Sequence, residues 1–174
     1  CALPICLRFE RDEDGVGLDQ LLADQAIELP EGLPLLEFTL EQLYNSRTDE
    51  GELTIEAYNQ LGGLSGSIAK KAEDVVSKQP QAVKDELPNL LIKMISVDPQ
   101  SGNAHRKPVS VNSLGTSDTL HKMVDELISA RLVVSALDSN QQPIINLVHE
   151  SLLRNWPRVQ MFIANEREFL VARA

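Results

Sequence analysis

The fold is decided by residues 132–156: Leu132-Val133-Val134-Ser135-Ala136-Leu137-Asp138, then Ser139-Asn140-Gln141-Gln142, then Pro143-Ile144-Ile145-Asn146-Leu147-Val148-His149-Glu150-Ser151-Leu152-Leu153-Arg154-Asn155-Trp156. Two β-rich segments flank a four-residue polar turn, which is the pattern of a hairpin. In the second segment Ile145 and Leu147 fall on one strand face, Ile144 and Val148 on the other. That strand feeds straight into a helix whose first residues are His149 and Glu150. Directly upstream, residues 116–131 place Leu120, Met123, Val124, Leu127 and Ile128 on one helical face. Helix, hairpin and closing helix make the back half of a winged-helix domain.

The front half of that domain lies further upstream. Val83, Leu87, Leu90, Leu91, Met94 and Ile95 make an apolar face, with Pro88 kinking that helix or beginning its second part. Residues 98–103 read as a loop. Residues 108–111 are short and β-branched and suit the small strand after the first helix, and residues 112–115 leave room for a one-turn second helix. Downstream, Pro157 ends the helix over residues 150–155 and can start another. There Val159, Phe162, Ile163, Phe169 and Leu170 form a heptad-like stripe that leads out toward a further domain.

Gln79 and Pro80 mark a boundary, and what precedes them reads as a helical bundle. Leu18, Leu21, Leu22 and Ala26 share a helical face; Pro30, Gly32 and Pro34 break the pattern and start a new helix. From Leu36 the apolar positions recur at Leu40, Leu43 and Tyr44, with Glu37, Glu41 and Gln42 facing away. Thr54 can cap a short helix carrying Ile55, Tyr58 and Leu61. After Gly62 and Gly63, a longer helix carries Leu64, Ile68, Ala72, Val75 and Val76 as its buried stripe. No inward-facing polar constellation is visible in these helices. The expected fold is therefore mainly α, with a helical bundle over residues 1–78. A winged-helix domain with a small β-hairpin wing and a C-terminal exit helix follows over residues 79–174.

At 174 residues the chain can bury a real core. Apolar residues make up 43% and aromatics 4%, so that core must be mostly Leu, Ile, Val and Ala. No apolar run approaches the roughly 18–20 residues that span a bilayer. The two cysteines, Cys1 and Cys6, imply no disulfide framework, which makes the cytoplasm the default compartment. The chain starts without Met, so it reads as a piece of something longer. Net charge is -10 and is unevenly spread: residues 1–60 hold 3 basic and 14 acidic side chains, and the remainder 13 and 12. An acidic front and a balanced back produce no field that gathers a polyanion. Nucleic acid is thus not the expected partner.

The motifs that might carry chemistry mostly fail. Gly62-Gly63-Leu64-Ser65-Gly66-Ser67 has Lys70 and Lys71 nearby, but no Gly is followed directly by Lys and then Ser or Thr, as a phosphate loop requires. His149-Glu150 begins like a zinc-protease motif, yet position 153 is Leu instead of a second His. His105 and His121 fall in a loop and on a polar helix face, so zinc ligation lacks a ligand set. Asp85-Glu86 and Asp125-Glu126 are sequence neighbours that point away from their helices' apolar sides, which suits solvated faces better than an acid/base pair. No active site emerges, and the fragment reads as a non-enzyme. His149 stays open between two readings. An imidazole at a strand-to-helix junction can donate a hydrogen bond to a phosphate oxygen, or it can cap its own helix or fill a polar slot under the wing.

Three further stretches bear on that choice. They are Leu33-Pro34-Leu35-Leu36-Glu37-Phe38-Thr39-Leu40-Glu41-Gln42-Leu43-Tyr44; Leu53-Thr54-Ile55-Glu56-Ala57-Tyr58 leading into residues 61–73; and Ala130-Arg131-Leu132-Val133-Val134 with residues 148–158, Val148 to Arg158. In order and spacing they resemble the segment that follows the P-loop domain in bacterial STAND-class signalling NTPases, which are often joined to WD-repeat or other repeat domains. The resemblance covers most of residues 33–170 and leaves residues 1–17 without a role. It implies a region that folds back on a nucleotide domain and holds the ADP-bound resting state. Val148-His149-Glu150 is similar to a hydrophobic-His-acidic triplet whose His contacts the nucleotide β-phosphate. The resemblance thus makes His149 a candidate β-phosphate sensor and Glu150 its orienting partner. The phosphate loop and the Mg-binding acid needed for hydrolysis are absent. ATP or ADP with Mg is therefore expected only in a parent protein, with an upstream P-loop domain and a downstream repeat or effector domain as partners in the same chain. The expected function is a regulatory module linking nucleotide state to an effector. The alternatives are a winged-helix DNA-binding regulator, whose recognition helix over residues 117–131 would carry Lys122 and Arg131 against Asp118, Asp125 and Glu126, and a protein-interaction scaffold.

Overall fold

Apolar spacing becomes helix along most of the chain in a computed structural model, which describes residues 7–29 and 32–173. Cys1, Cys6 and Pro30 lie outside the described residues. The fold is mainly helical with small sheets. It divides into two units, Cys1–Lys70 and Lys71–Ala174, and the division falls inside a helix.

In the first unit β1 (Arg8–Phe9) pairs in parallel with β2 (Glu52–Leu53). The chain beyond β1 then serves a helix. Glu10 accepts the N–H of Ile55 at 2.6 Å, and Thr54 accepts that of Ala57 at 3.1 Å. Two donors that the first turn of α3 (Ile55–Gln60) cannot satisfy internally are thereby paired. The Thr54 cap appears as its sequence suggests, and residues 8–10 acquire a structural job.

α1 (Leu18–Glu28) buries Leu18 and Leu22, and α4 (Gly63–Ser77) buries Leu64, Ile68, Ala72 and Val76. α2 (Gly32–Asn45) turns a different face inward from the expected one. Leu35, Phe38, Thr39 and Leu43 are buried, while Leu36 and Leu40 are half-buried and Tyr44 is exposed. The run of apolar residues from Leu33 to Leu36 fits two helical phases, and the polar Thr39 disguises the true one. The expectation of no inward polar group also fails here. Thr39 and Ser67 are both fully buried, with hydroxyl oxygens 2.8 Å apart. Each also reaches a carbonyl of its own helix, Thr39 that of Leu35 at 2.7 Å and Ser67 that of Leu64 at 2.9 Å. One hydroxyl donates to the other, which donates to its own helix carbonyl, so neither oxygen is left without a partner in the core.

In the second unit, Pro88 starts α6 (Leu87–Met94) within its first turn instead of kinking a longer helix, and α5 (Gln81–Lys84) precedes it. Leu87, Leu90, Leu91 and Met94 are buried. Ile95 has left the helix for β3 (Ile95–Val97), which pairs antiparallel with β4 (Ala104–Arg106). Residues 98–103 are therefore a hairpin turn. The Asp98 N–H donates to Asn103 O at 2.9 Å. The Asp98 carboxylate accepts from Ser101 N at 2.6 Å and Gln100 N at 2.9 Å, and the Ser101 bond leads in holding its pKa below the usual range.

Next come β5 (Val109–Ser110), a 3-10 turn (Val111–Leu114), and α7 (Asp118–Ser129), capped by the Ser117 hydroxyl. Leu120, Met123, Val124 and Leu127 of α7 are buried and Ile128 is half-buried. β6 (Val133–Leu137) and β7 (Pro143–Leu147) form the expected hairpin, and the sheet runs β5-β7-β6 with every pairing antiparallel. Its turn is held by Asp138, whose carboxylate accepts from Asn140 N at 2.8 Å and Gln142 N at 2.9 Å. Ile145 and Leu147 point into the core.

α8 (Ser151–Asn155) starts two residues later than expected, because the Val148 N–H still pairs with Leu132 O at 3.0 Å and keeps the chain extended to that point. α9 (Pro157–Asn165) does begin at Pro157. The stripe beyond it is not continuous: the helix breaks at Glu166 before α10 (Arg167–Ala172). Val159 and Leu170 are buried, Phe162 and Ile163 half-buried, and Phe169 is exposed under the Arg173 guanidinium, 5.5 Å from the ring centroid.

Candidate functional site

The junction of β7 and α8 brings together His105, Arg106, Glu150 and Arg154. Buried Ile145 and Leu147 fix β7, and the Val148–Leu132 hydrogen bond is the last of its ladder. The backbone bends at Val148. Carbonyls that would point to opposite sides of a straight strand then converge on one donor. Arg106 Nη1 donates to Leu147 O at 3.0 Å and to Val148 O at 2.6 Å. The next residue is His149, half-buried with a face toward solvent. Its carbonyl accepts from Leu152 N at 3.3 Å, and that of Glu150 from Leu153 N at 2.9 Å. His149 and Glu150 thus stand just outside α8, in its N-terminal approach.

The carboxylate of Glu150 faces two side chains, His105 and Arg154. One oxygen lies 3.5 Å from His105 Nδ1, the other 3.4 Å from Arg154 Nη2. His105 and Arg154 also line a cleft of about 320 Å³ with Asn103, Ala104 and Leu153. Among the described residues, two buried side-chain oxygens lack a hydrogen-bond partner, Asn146 Oδ1 and Ser151 Oγ. They flank His149 in sequence, and a buried unpaired hydroxyl is costly unless something satisfies it. The half-buried His149 thus stands on a stiffly held backbone.

His105 and Arg106 escaped the sequence reading, which put His105 in a loop. The signal is faint: only the three residues Ala104-His105-Arg106 alternate, too few to announce a strand. His121, on α7 as expected, has Nε2 2.8 Å from Gly115 O. Among the described residues no group of three or more His, Cys, Asp or Glu side chains is placed to hold a metal ion. No helix among them is long and apolar enough to cross a membrane.

A second cluster ties α4 to the start of α9. Glu73 Oε2 accepts from Trp156 Nε1 at 2.8 Å and from Arg158 Nε at 3.1 Å; Oε1 accepts from Arg158 Nη2 at 2.5 Å. The Arg158 fork holds the Glu73 carboxyl below the usual glutamate range, with the Trp156 bond and the nearby charges adding to it. The same pairing raises the Arg158 pKa. Trp156 is 1% exposed, so its indole N–H has no access to water.

A mainly helical unit with a three-stranded sheet and a charged strand-to-helix junction is the class of protein that these features define. A family model described as Novel STAND NTPase 1 matches residues 8–174, and the chain belongs to that family. The match takes in residues 8–17, whose role the sequence alone left open. No curated protein and no solved structure matches the chain.

Proposed function

We propose that this chain is the regulatory arm of a STAND-type NTPase, coupling the nucleotide state of an upstream P-loop domain to a downstream effector or repeat domain such as a WD-repeat array. The second unit acts as a winged helix. Supporting this is the order α6, β5, 3-10 turn, α7, β6, β7, with β7 central in the sheet and β6-β7 as the wing. The chain itself does not hydrolyse nucleotide, since its sequence offers neither phosphate loop nor Mg-binding acid, and it works in the cytoplasm.

The observation that carries the reading is His149. It is half-buried at the wing-to-helix junction, on a backbone gripped by Arg106, inside the triplet Val148-His149-Glu150. ADP or ATP with Mg, held by the upstream domain, supplies an anionic phosphate. Within this chain His149 would donate a ring N–H to it. Glu150 anchors the junction through His105 and Arg154. One such contact biases a two-state domain arrangement by about 1–3 kcal/mol. The test needs a protein in which this chain follows its nucleotide domain. In it His149→Ala should speed ADP release and raise resting-state activity. If neither changes, the sensor role is wrong.

A further inference from the structure

We infer that Arg106 is the positioning residue for His149. This deepens the sensor reading, and it rests on that reading for its nucleotide consequence only. Arg106 comes from β4, where it pairs with buried Ile95, and the following residue continues the anchoring, Lys107 N donating to Met94 O at 2.7 Å. The guanidinium base is therefore fixed from the α6 side of the unit.

Its Nη1 takes both carbonyls ahead of His149, those of Leu147 and Val148. The Val148 carbonyl belongs to the same planar peptide group as the His149 N–H. Holding that oxygen at 2.6 Å fixes the plane, and the plane fixes where the His149 Cα, the root of its side chain, stands. A charged donor makes both bonds strong. The Val148 bend is what lets one guanidinium nitrogen reach two successive carbonyls. Arg106 thus sets the imidazole without being required to touch what the imidazole touches.

Two readouts separate positioning from general support of the fold. The first uses the 174-residue chain alone. In Arg106→Met the backbone amide signals of Val148 and His149, each directly following a carbonyl that loses its donor, should shift together with the His149 ring signals. Those of His121 should stay, and Arg106→Lys, which keeps a cationic donor, should restore part of the change. Unmoved His149 signals in Arg106→Met overturn the inference. If Arg106→Met fails to fold, Arg106→Gln, which keeps an N–H donor without the charge, takes its place under the same criteria.

The second readout is ADP release from the protein carrying the nucleotide domain. Arg106→Met should accelerate it about ten-fold, inside the range typical of coupled sites. In a His149→Ala background it should add nothing, because the residue acts through the ring. Equal acceleration in both backgrounds overturns the inference. Shifted His149 signals with a His149→Ala variant that releases ADP at the parent rate would leave Arg106 as positioning residue and sink the sensor reading instead.

Discussion

Replacing Glu73 with Ala strips three hydrogen bonds at once, and their strengths differ. Arg158 and Glu73 have side chains 46% and 41% exposed, so their ion pair contributes at most about 1 kcal/mol. The Trp156 N–H contributes more. Its residue is 1% exposed, and a buried donor deprived of its acceptor costs about 1–3 kcal/mol. The total is about 2 kcal/mol, which for a domain of this size lowers Tm by about 4–8 °C. Trp156 is the sole tryptophan of the chain, so its fluorescence reports the same event that circular dichroism follows through the helices. Salt separates the two parts, because 1 M NaCl screens the exposed pair and leaves the indole loss. Acid does the same from another side. Glu73 titrates below its ordinary range in the folded chain. Its contribution is therefore complete above the unfolded glutamate value of about 4.3 and disappears as pH falls through the lower folded value. Parent and variant should differ most at pH 7, and the difference should shrink in that acid window toward what the indole bond alone contributes. A variant melting within about 1 °C of the parent at pH 7, or a Trp156→Phe cost that adds in full to that of Glu73→Ala, would refute the reasoning.

The buried Thr39–Ser67 pair should behave as a unit. Thr39→Val or Ser67→Ala alone should cost about 1 kcal/mol, and the double variant clearly less than the sum, since either single variant already removes the contact that the two hydroxyls share; additive losses by denaturant unfolding would contradict this. Nucleic acid should not bind through α7. Its exposed face carries Asp118 and Asp125 with Lys122, and DNA-reading helices present basic or amide groups to the groove. A gel shift at low salt should show no retarded species, and a submicromolar complex would favour a DNA-binding regulator.

What the sequence discloses follows from how local each signal is. α7 and its hairpin are legible because apolar residues recur over twelve positions and the Asp138 turn punctuates two strands of five. Pro157 marks its helix start in the same local way. β1 and β2 are two residues each and pair across more than forty positions, so no window contains both. The inward phase of α2 depends on Ser67, 28 residues away, which makes Thr39 acceptable in the core. The junction around His149 was half legible. Val148-His149-Glu150 stands out as a triplet, whereas His105 and Arg106 reach it from a three-residue strand some forty positions upstream. Glu73 and Trp156, 83 positions apart, share a bond that neither neighbourhood hints at.

The dissociation rate of a fluorescent ADP, followed by stopped flow after chase with unlabelled nucleotide, bears most directly on the nucleotide-sensing role of His149. In a protein joining this chain to its nucleotide domain, His149→Ala should release the label about 5–150 times faster than the parent, the span that a 1–3 kcal/mol coupling produces. Identical rates, with both proteins folded and fully loaded at the start, would mean that the imidazole at the wing-to-helix junction does not feel the phosphate.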